Sequence, residues 1–346
     1  MPSDKSKRLV ALKHEQYDKL METQTEQFKK YKYAQPNSVA NYFNAKLSKI
    51  GKKYPQLHLH DFCCSDPVPS KLRLLPKDHK DGELTGRPIV ASTDSPATKL
   101  SRYLAQILNG LIKEKVPAHL SSTEDFTNII KDFKMNEDMK FASLDVVNLY
   151  GSIPVNDHTF PGVLTIVTNF FEIHKIHTSL NCLSAVDFRD LLNLSLTSDT
   201  IQANDTTYKQ KRGLQMGNSV SGPCAIIFMN FIEEQIFSST PQIILWKRFL
   251  DDCFVIYKDM TSDELVHKCN DFHSDISFTC ETPVNNILPF LDLDIKLKAN
   301  KFSFTLHSKP CHSGNVIHWS SHHPRSVLIN VLKNEIRRAI RNSSDI

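Results

Sequence analysis

The stretch Arg248-Phe249-Leu250-Asp251-Asp252-Cys253-Phe254-Val255-Ile256-Tyr257 sets two adjacent aspartates between segments rich in aromatic and β-branched residues. That pattern predicts strand, tight turn, strand, with both carboxylates at the tip of a hairpin. A third acid, Asp145, ends another strand-like run, Phe141-Ala142-Ser143-Leu144-Asp145-Val146. Carboxylates brought by separate strands to one place suit hard divalent cations, which take oxygen ligands. Two such ions, roughly 3.5–4 Å apart, can hold the attacking and leaving oxygens of a phosphoryl transfer. An Asp-Asp dipeptide by itself is more often a turn stabilised by local hydrogen bonds. Its meaning depends on what accompanies it.

Three companions stand in order along the chain. Tyr150 follows Asp145 by five residues. An aromatic ring there can lie under a sugar and leave no room for a 2′-hydroxyl, the group that tells RNA from DNA; the plainer reading is core packing. The segment from Gln210 through Gly213, Gln215, Met216, Gly217, Asn218 and Ser219 to Pro223 is Gly-rich and precedes an apolar helix. Glycines there would let the backbone approach a base pair, or would simply mark a capped helix start. Lys77 and Arg87 lie on a basic hairpin that could fold over a triphosphate and offset its charge.

The chain has 346 residues, enough for two or three subdomains, and its 40% hydrophobic and 23% charged content is that of a folded protein. No apolar run approaches the roughly 18 residues a membrane span needs, and the N-terminus has no signal-like stretch. An intracellular protein is expected, with no membrane partner; Lys5-Ser6-Lys7-Arg8 is too short to decide for the nucleus. The eight cysteines suggest no disulfide framework. His58, His60, Cys63 and Cys64 are crowded but match no familiar zinc spacing and read as a surface loop. Residues 1–80 hold 16 Lys/Arg against 8 Asp/Glu, while the whole chain is only +4. The basic front suits a phosphate backbone or, equally, a solvated helical face.

Periodicity predicts a helix over residues 7–33, and a second one capped near Asn37-Ser38 and stopped at Gly51. Leu72 to Lys77 and Arg87 to Ser92 read as a hairpin joined through Asp78-His79-Lys80-Asp81-Gly82. A long helix opens at Ser95-Pro96, and a short one covers Phe126 to Phe133. Residues 157–200 read as mostly helical, Thr206-Thr207-Tyr208 as a return strand, and Ala225 to Ile232 as helix. Phe290 to Ile295 and Phe302 to Leu306 read as strands, followed by a basic helix from Ser326 to Arg341. Strands interleaved with helices, without a clean βαβ run, predict an α+β architecture.

Taken in order, these segments resemble the reverse transcriptases, and among them the Penelope-like retroelements. Leu75-Pro76-Lys77-Asp78-His79-Lys80 with Arg87-Pro88-Ile89-Val90 is similar to that family's fingers segment. Ser143 to Pro154 resembles its first catalytic motif, and Gln210, Gly213, Met216, Gly217 and Ser221 match its Gly-rich loop. Arg248 to Phe254 resembles its aspartate hairpin, and Leu288-Pro289-Phe290-Leu291-Asp292 repeats another of its segments. Lys309-Pro310 with His318, Ser321, His323 and Pro324 resembles the entry to its thumb. The likeness covers roughly residues 70–335. Asn218-Ser219-Val220 stands where the family has Ser-Pro-Leu, which predicts a less rigid loop, and Phe249 replaces a tyrosine.

The resemblance implies a right-hand polymerase fold with fingers, palm and a truncated thumb. Its divisions would be a basic helical extension (1–70), fingers (71–140), palm (141–300, with a helical insert near 157–205), and palm end with the start of the thumb (301–346). It implies RNA-directed DNA synthesis, a nucleotidyl transfer from dNTPs to a DNA primer on an RNA template, with two Mg2+ ions for which Mn2+ can substitute. Asp145, Asp251 and Asp252 would be catalytic and metal-binding. Lys77, Arg87, Tyr150, Gln210, Gly213, Met216 and Gly217 would contact the nucleotide. Many members of the family continue into a full thumb and an endonuclease, neither of which is expected within these residues. The alternative is an inactive nucleic-acid-binding remnant; Tyr150 argues against an RNA-dependent RNA polymerase. The sequence leaves the oligomeric state open.

Overall fold

The computed structural model describes residues 3–4, 9–25, 28–31, 36–77, 84–204, 206–308 and 317–344. The connecting loop 78–83, the basic cluster 5–8 and Lys309-Pro310, all singled out in the sequence, lie outside the described residues.

The chain opens with α1 (His14–Thr25), β1 (Phe28–Lys30) and α2 (Pro36–Lys53), then the hairpin β2 (Ser70–Lys77) and β3 (Thr85–Ala91). Helices α3 (Thr98–Lys115) and α4 (Thr123–Ile130) lead to β4 (Met139–Val146) and the single turn α5 (Leu149–Ser152). Next come α6 (Val163–His174), α7 (Ala185–Thr197), β5 (Ile201–Ala203), β6 (Thr206–Gln210) and α8 (Ser221–Ser239). The aspartate hairpin is β7 (Ile243–Phe249) and β8 (Asp252–Lys258). The chain then runs through α9 (Ser262–Asn270), β9 (Phe278–Glu281), β10 (Ile287–Phe290), β11 (Leu293–Lys298), β12 (Lys301–Leu306) and α10 (Arg325–Arg341).

These strands make three sheets. The floor sheet has the order β7-β8-β4-β9 and is antiparallel throughout. An outer sheet has the order β1-β6-β5-β2-β3, and β10-β11-β12 form a small third sheet. Alternation along β4 and β8 divides the floor sheet between two cores, because successive strand residues face opposite sides. Ala142, Leu144, Val146, Cys253, Val255 and Tyr257 face the larger core, packed with α3, α6, α7 and α8. Phe141, Phe254 and Ile256 face a smaller aromatic core with Phe126, Phe290, Phe302 and Phe304. At a burial worth of roughly 1.5–3 kcal/mol per large apolar side chain, both faces anchor β4 and β8 firmly.

Several expectations need correction. The helix read over 7–33 stops at Thr25, and Phe28–Lys30 is a strand whose register pairs Phe28 with Gln210. Phe28 is buried in a third apolar cluster with Leu72 and Tyr208, so tertiary pairing overrides the helical composition. Helix α2 begins at Pro36, not at a cap at Asn37-Ser38, and continues through Gly51 to Lys53. Phe290 to Ile295 is not one strand: β10 ends at Phe290, Leu291 takes a left-handed φ of 53°, and β11 starts at Leu293. The turn lets Phe290 and Leu293 both enter the aromatic core. Among the described residues, no helix is long and apolar enough to cross a membrane.

Candidate active site

The register of β4 on β8 settles where the acids go. Phe141 pairs with Ile256, Ser143 with Phe254, and Asp145 with Asp252. Residues directly opposite on neighbouring strands share a face. Asp145 and Asp252 therefore continue the row that faces the aromatic core, at the strand end where that row changes from apolar to anionic. Thr279 of β9 pairs with Asp145 from the other side. Two like charges directly opposite destabilise a sheet, so this pair is a feature the fold tolerates rather than one that holds it together.

Asp251 is not on a strand. Phe249 pairs with Asp252, leaving Leu250 and Asp251 as a two-residue turn. Leu250 adopts φ 56°, a left-handed conformation that costs a non-glycine residue about 1–2 kcal/mol. The Asp251 carbonyl accepts a 3.0 Å bond from the Val146 amide, so the turn is tied to the end of β4. Asp145 and Asp251 are exposed and Asp252 is half-buried.

Tyr150 stands near enough to Asp251 to sense its charge. Burial and then the Asp251 charge raise its hydroxyl pKa, which puts the phenol within the field of that carboxylate. Its hydroxyl is 3.7 Å from where a Cβ on Gly222, in the first turn of α8, would be. Its carbonyl accepts a 2.7 Å bond from the Leu214 amide. At Gly213, φ is 79° and a Cβ would sit 2.5 Å from that same carbonyl, so only glycine lets the two segments meet.

The Gly-rich loop also joins the outer sheet. The Val90 amide of β3 donates to the Met216 carbonyl at 2.8 Å. Gly217 has φ 125°, and a Cβ there would fall 2.0 Å from the Val90 carbonyl oxygen. Where the family has a proline, the loop is held by a side chain. Asn218 is buried; its amide donates to the Ser195 carbonyl at 2.7 Å while its own Oδ1 accepts from the Val220 amide at 3.1 Å. A side-chain lock replaces the ring of proline.

The basic hairpin forms, with Leu75 opposite Arg87 and Lys77 opposite Thr85. Arg87 is engaged, however: its Nε lies 3.2 Å from Asp4 Oδ1. The Asp4 amide donates to the Pro76 carbonyl at 2.9 Å, laying the N-terminal segment along the hairpin. Lys77 is five residues along β2 from Leu72, the partner of Val90, about 17 Å at the usual strand rise. Of the two cations, Arg87 lies nearer the loop. Gln210 is at the end of β6, its amide donating to the Arg212 carbonyl at 2.9 Å.

Thus the strand pairings and the Tyr150 field gather Asp145, Asp251, Asp252 and Tyr150, and the loop's hydrogen bonds add Gly213, Met216 and Gly217. Arg87 borders the group on β3, and Lys77 and Gln210 stand further out. The contacts of Asp4 and Asn218 carried no signal in the sequence, because their partners are remote in the chain. Among the described residues, no group of three or more His, Cys, Asp or Glu is close enough to cage a metal. The donors present are carboxylate oxygens at an exposed edge. That set fits magnesium, which is reluctant to lose water and takes one or two carboxylates with substrate phosphates completing the shell.

The family model of an animal helix-turn-helix domain matches residues 315–346, which contain α10. No curated protein matches the sequence. Among solved structures, the chain is similar to a telomerase from Candida albicans in complex with the TWJ fragment of telomeric RNA. The TM-score is 0.59 at 14% identity, over 93% of this chain and 53% of that one. It is similar also to apo telomerase from Candida tropicalis, with TM-score 0.61 and 12% identity over 96% and 59% of the two chains. The chain spans little more than half the length of those telomerases. At such identities the likeness speaks to fold: the chain has the α+β right-hand fold of nucleic-acid polymerases.

Proposed function

We propose that the protein is an RNA-directed DNA polymerase of a Penelope-like retroelement, adding dNTPs to the 3′-hydroxyl of a DNA primer on an RNA template. The observation that carries this reading is the pairing of Asp145 with Asp252, with Asp251 on the adjoining turn beside Tyr150. In this reading the outer sheet with α3 belongs to the fingers, the floor sheet to the palm, and α10 to the start of the thumb.

Bound at Asp145, Asp251 and Asp252, two magnesium ions, or manganese in their place, would supply the charge that stabilises the attacking and leaving oxygens. The chain's own residues do the positioning. The two cores fix the strand ends that carry Asp145 and Asp252, and the bond from the Val146 amide ties the Asp251 turn to them. Gly217, without a side chain, lets the loop close on Val90 of β3 and so sets the backbone that a base pair would meet. Tyr150 sets the floor under the sugar, and its ring excludes a 2′-hydroxyl. Arg87 offsets triphosphate charge once Asp4 gives way to it.

Primer extension on RNA and DNA templates tests the reading. The expected result is magnesium-dependent extension on RNA that Asp251→Ala abolishes, with Tyr150→Ala raising ribonucleotide incorporation. A folded wild type that makes no product with either ion would overturn it. The second reading, a nucleic-acid-binding remnant, finds support in the carboxylate of Asp4 on Arg87. Duplex binding without metal-dependent turnover would select it.

A further inference from the structure

We infer that Arg248 and Glu233 form a buried clamp that holds Leu250 in its left-handed turn and thereby aims Asp251. The inference rests on the polymerase reading, and it adds two positioning residues to it.

Both side chains are out of solvent, Arg248 at 0% and Glu233 at 1% exposure, with Arg248 on the larger-core face of the floor sheet, opposite Asp145 and Asp252. The guanidinium meets the carboxylate twice, Nε donating to Oε1 at 2.5 Å and Nη2 to Oε2 at 3.2 Å. Glu233 is itself fixed by the indole of Trp246, which donates to Oε1 at 2.9 Å. Burial works against the Arg248 charge, but the facing carboxylate outweighs it and keeps the guanidinium cationic.

Two of the remaining three donors of Arg248 go to backbone carbonyls. Nη1 donates to the Leu250 carbonyl at 3.2 Å and Nη2 to the Ile226 carbonyl at 3.1 Å. Leu250 is the residue with φ 56°, and Asp251 is next to it. Ile226 is in α8, the helix that follows the Gly-rich loop. One rigid fork thus connects the helix behind the loop to the turn that carries an acid. The backbone of Arg248 is pinned as well: its amide donates to the Ala118 carbonyl at 2.7 Å, and its carbonyl accepts from the Leu120 amide at 2.8 Å.

A buried ion pair is a poor stability device, since apolar residues of similar volume often do as well or better. A guanidinium whose donors end on a strained turn has another use: it fixes a backbone that leucine does not favour. Only a planar fork reaches the carboxylate and both carbonyls together; a lysine ammonium cannot.

The test separates aiming from folding. In the double variant Arg248→Met with Glu233→Gln, the two charges leave together, and the new amide oxygen can still accept from the Trp246 indole. Mn2+ binding to the whole protein, read by electron paramagnetic resonance, should weaken about tenfold, as when a metal ligand loses its supporting bonds. In primer extension, kcat should fall with KM for dNTP within about twofold, since an interaction that acts in the transition state is lost. Adding Leu250→Gly, which adopts positive φ without strain, should restore most of the Mn2+ affinity. Should the double variant not fold, Arg248→Lys keeps the charge pair, drops the carbonyl contacts and should weaken Mn2+ in the same direction. Unchanged Mn2+ affinity in a folded variant, no recovery with Leu250→Gly, or wild-type Mn2+ binding indifferent to Asp251→Ala would each overturn the clamp. Wild type that binds Mn2+ through Asp251 and copies no template would overturn the polymerase reading while leaving the clamp supported by its Mn2+ result.

Discussion

The floor sheet and the outer sheet each bring an arginine toward the site, and the two are held in opposite ways. Arg248 is fully buried, forked onto Glu233 and bonded to two carbonyls. Arg87 is 38% exposed and meets Asp4 through a single ion-pair contact among the described residues. Asp4 Oδ2 is buried with no hydrogen-bond partner among those residues, an arrangement that costs about 1–3 kcal/mol. The floor contact has its charges fully enclosed and bonded, while the outer one is partly exposed and incompletely satisfied. The proposed polymerase activity would use both: acids that do not move, and a cation that takes up a new triphosphate at each cycle.

The comparison breaks most visibly at the acids. Asp145→Asn should lower kcat by about a thousandfold, roughly 4 kcal/mol of barrier, in primer extension. The same change removes one of two like charges facing each other across the strands, so urea unfolding should show stability rising by about 0.2–1 kcal/mol. Loss of both activity and stability would mean that the pair is structural.

The arginines give the next largest contrast. Arg248→Met alone strands the Glu233 carboxylate in the core and should cost about 3–5 kcal/mol in urea unfolding. Arg87→Met removes a partly exposed pair and should cost under about 1 kcal/mol. Equal losses would erase the distinction between the two sheets. Gly217→Ala sharpens it at their junction. The added methyl meets the Val90 carbonyl in a backbone conformation alanine rarely adopts, so a loss of about 1–3 kcal/mol is expected, with weaker dNTP binding.

The smallest effect belongs to the N-terminal segment. Asp4→Asn weakens the competitor for Arg87 without touching the floor, so KM for dNTP should fall by about two- to fivefold at constant kcat, the scale of a surface ion pair. A KM that rises would show that Asp4 supports Arg87 instead of competing for it.

Much of the floor was legible in the sequence because its signals are local. Alternation in Phe141–Val146 and Cys253–Tyr257 identifies strands, and the order of motifs indicates that their acids belong together. The register then sets Asp145 opposite Asp252. What escaped is what depends on partners far apart in the chain. Phe28-Lys29-Lys30 has no strand signature beyond one aromatic, and becomes a strand only because β6 offers an edge. Asn218 stood in a segment that lacks the family's proline, at Ser219, and its lock on Ser195 requires the end of α7 to pass behind the loop. Glu233 sits in an apolar helix, where nothing local names Arg248 as its partner. Asp4 and Arg87 are remote for the same reason.

The most direct test of the central claim is anomalous diffraction from crystals of the protein soaked with Mn2+ in the presence of primer-template and a non-hydrolysable dNTP. The account predicts two Mn2+ peaks about 3.5–4 Å apart, bound by the carboxylates of Asp145 and Asp251. Manganese held elsewhere, with those carboxylates turned to separate surfaces, would contradict it.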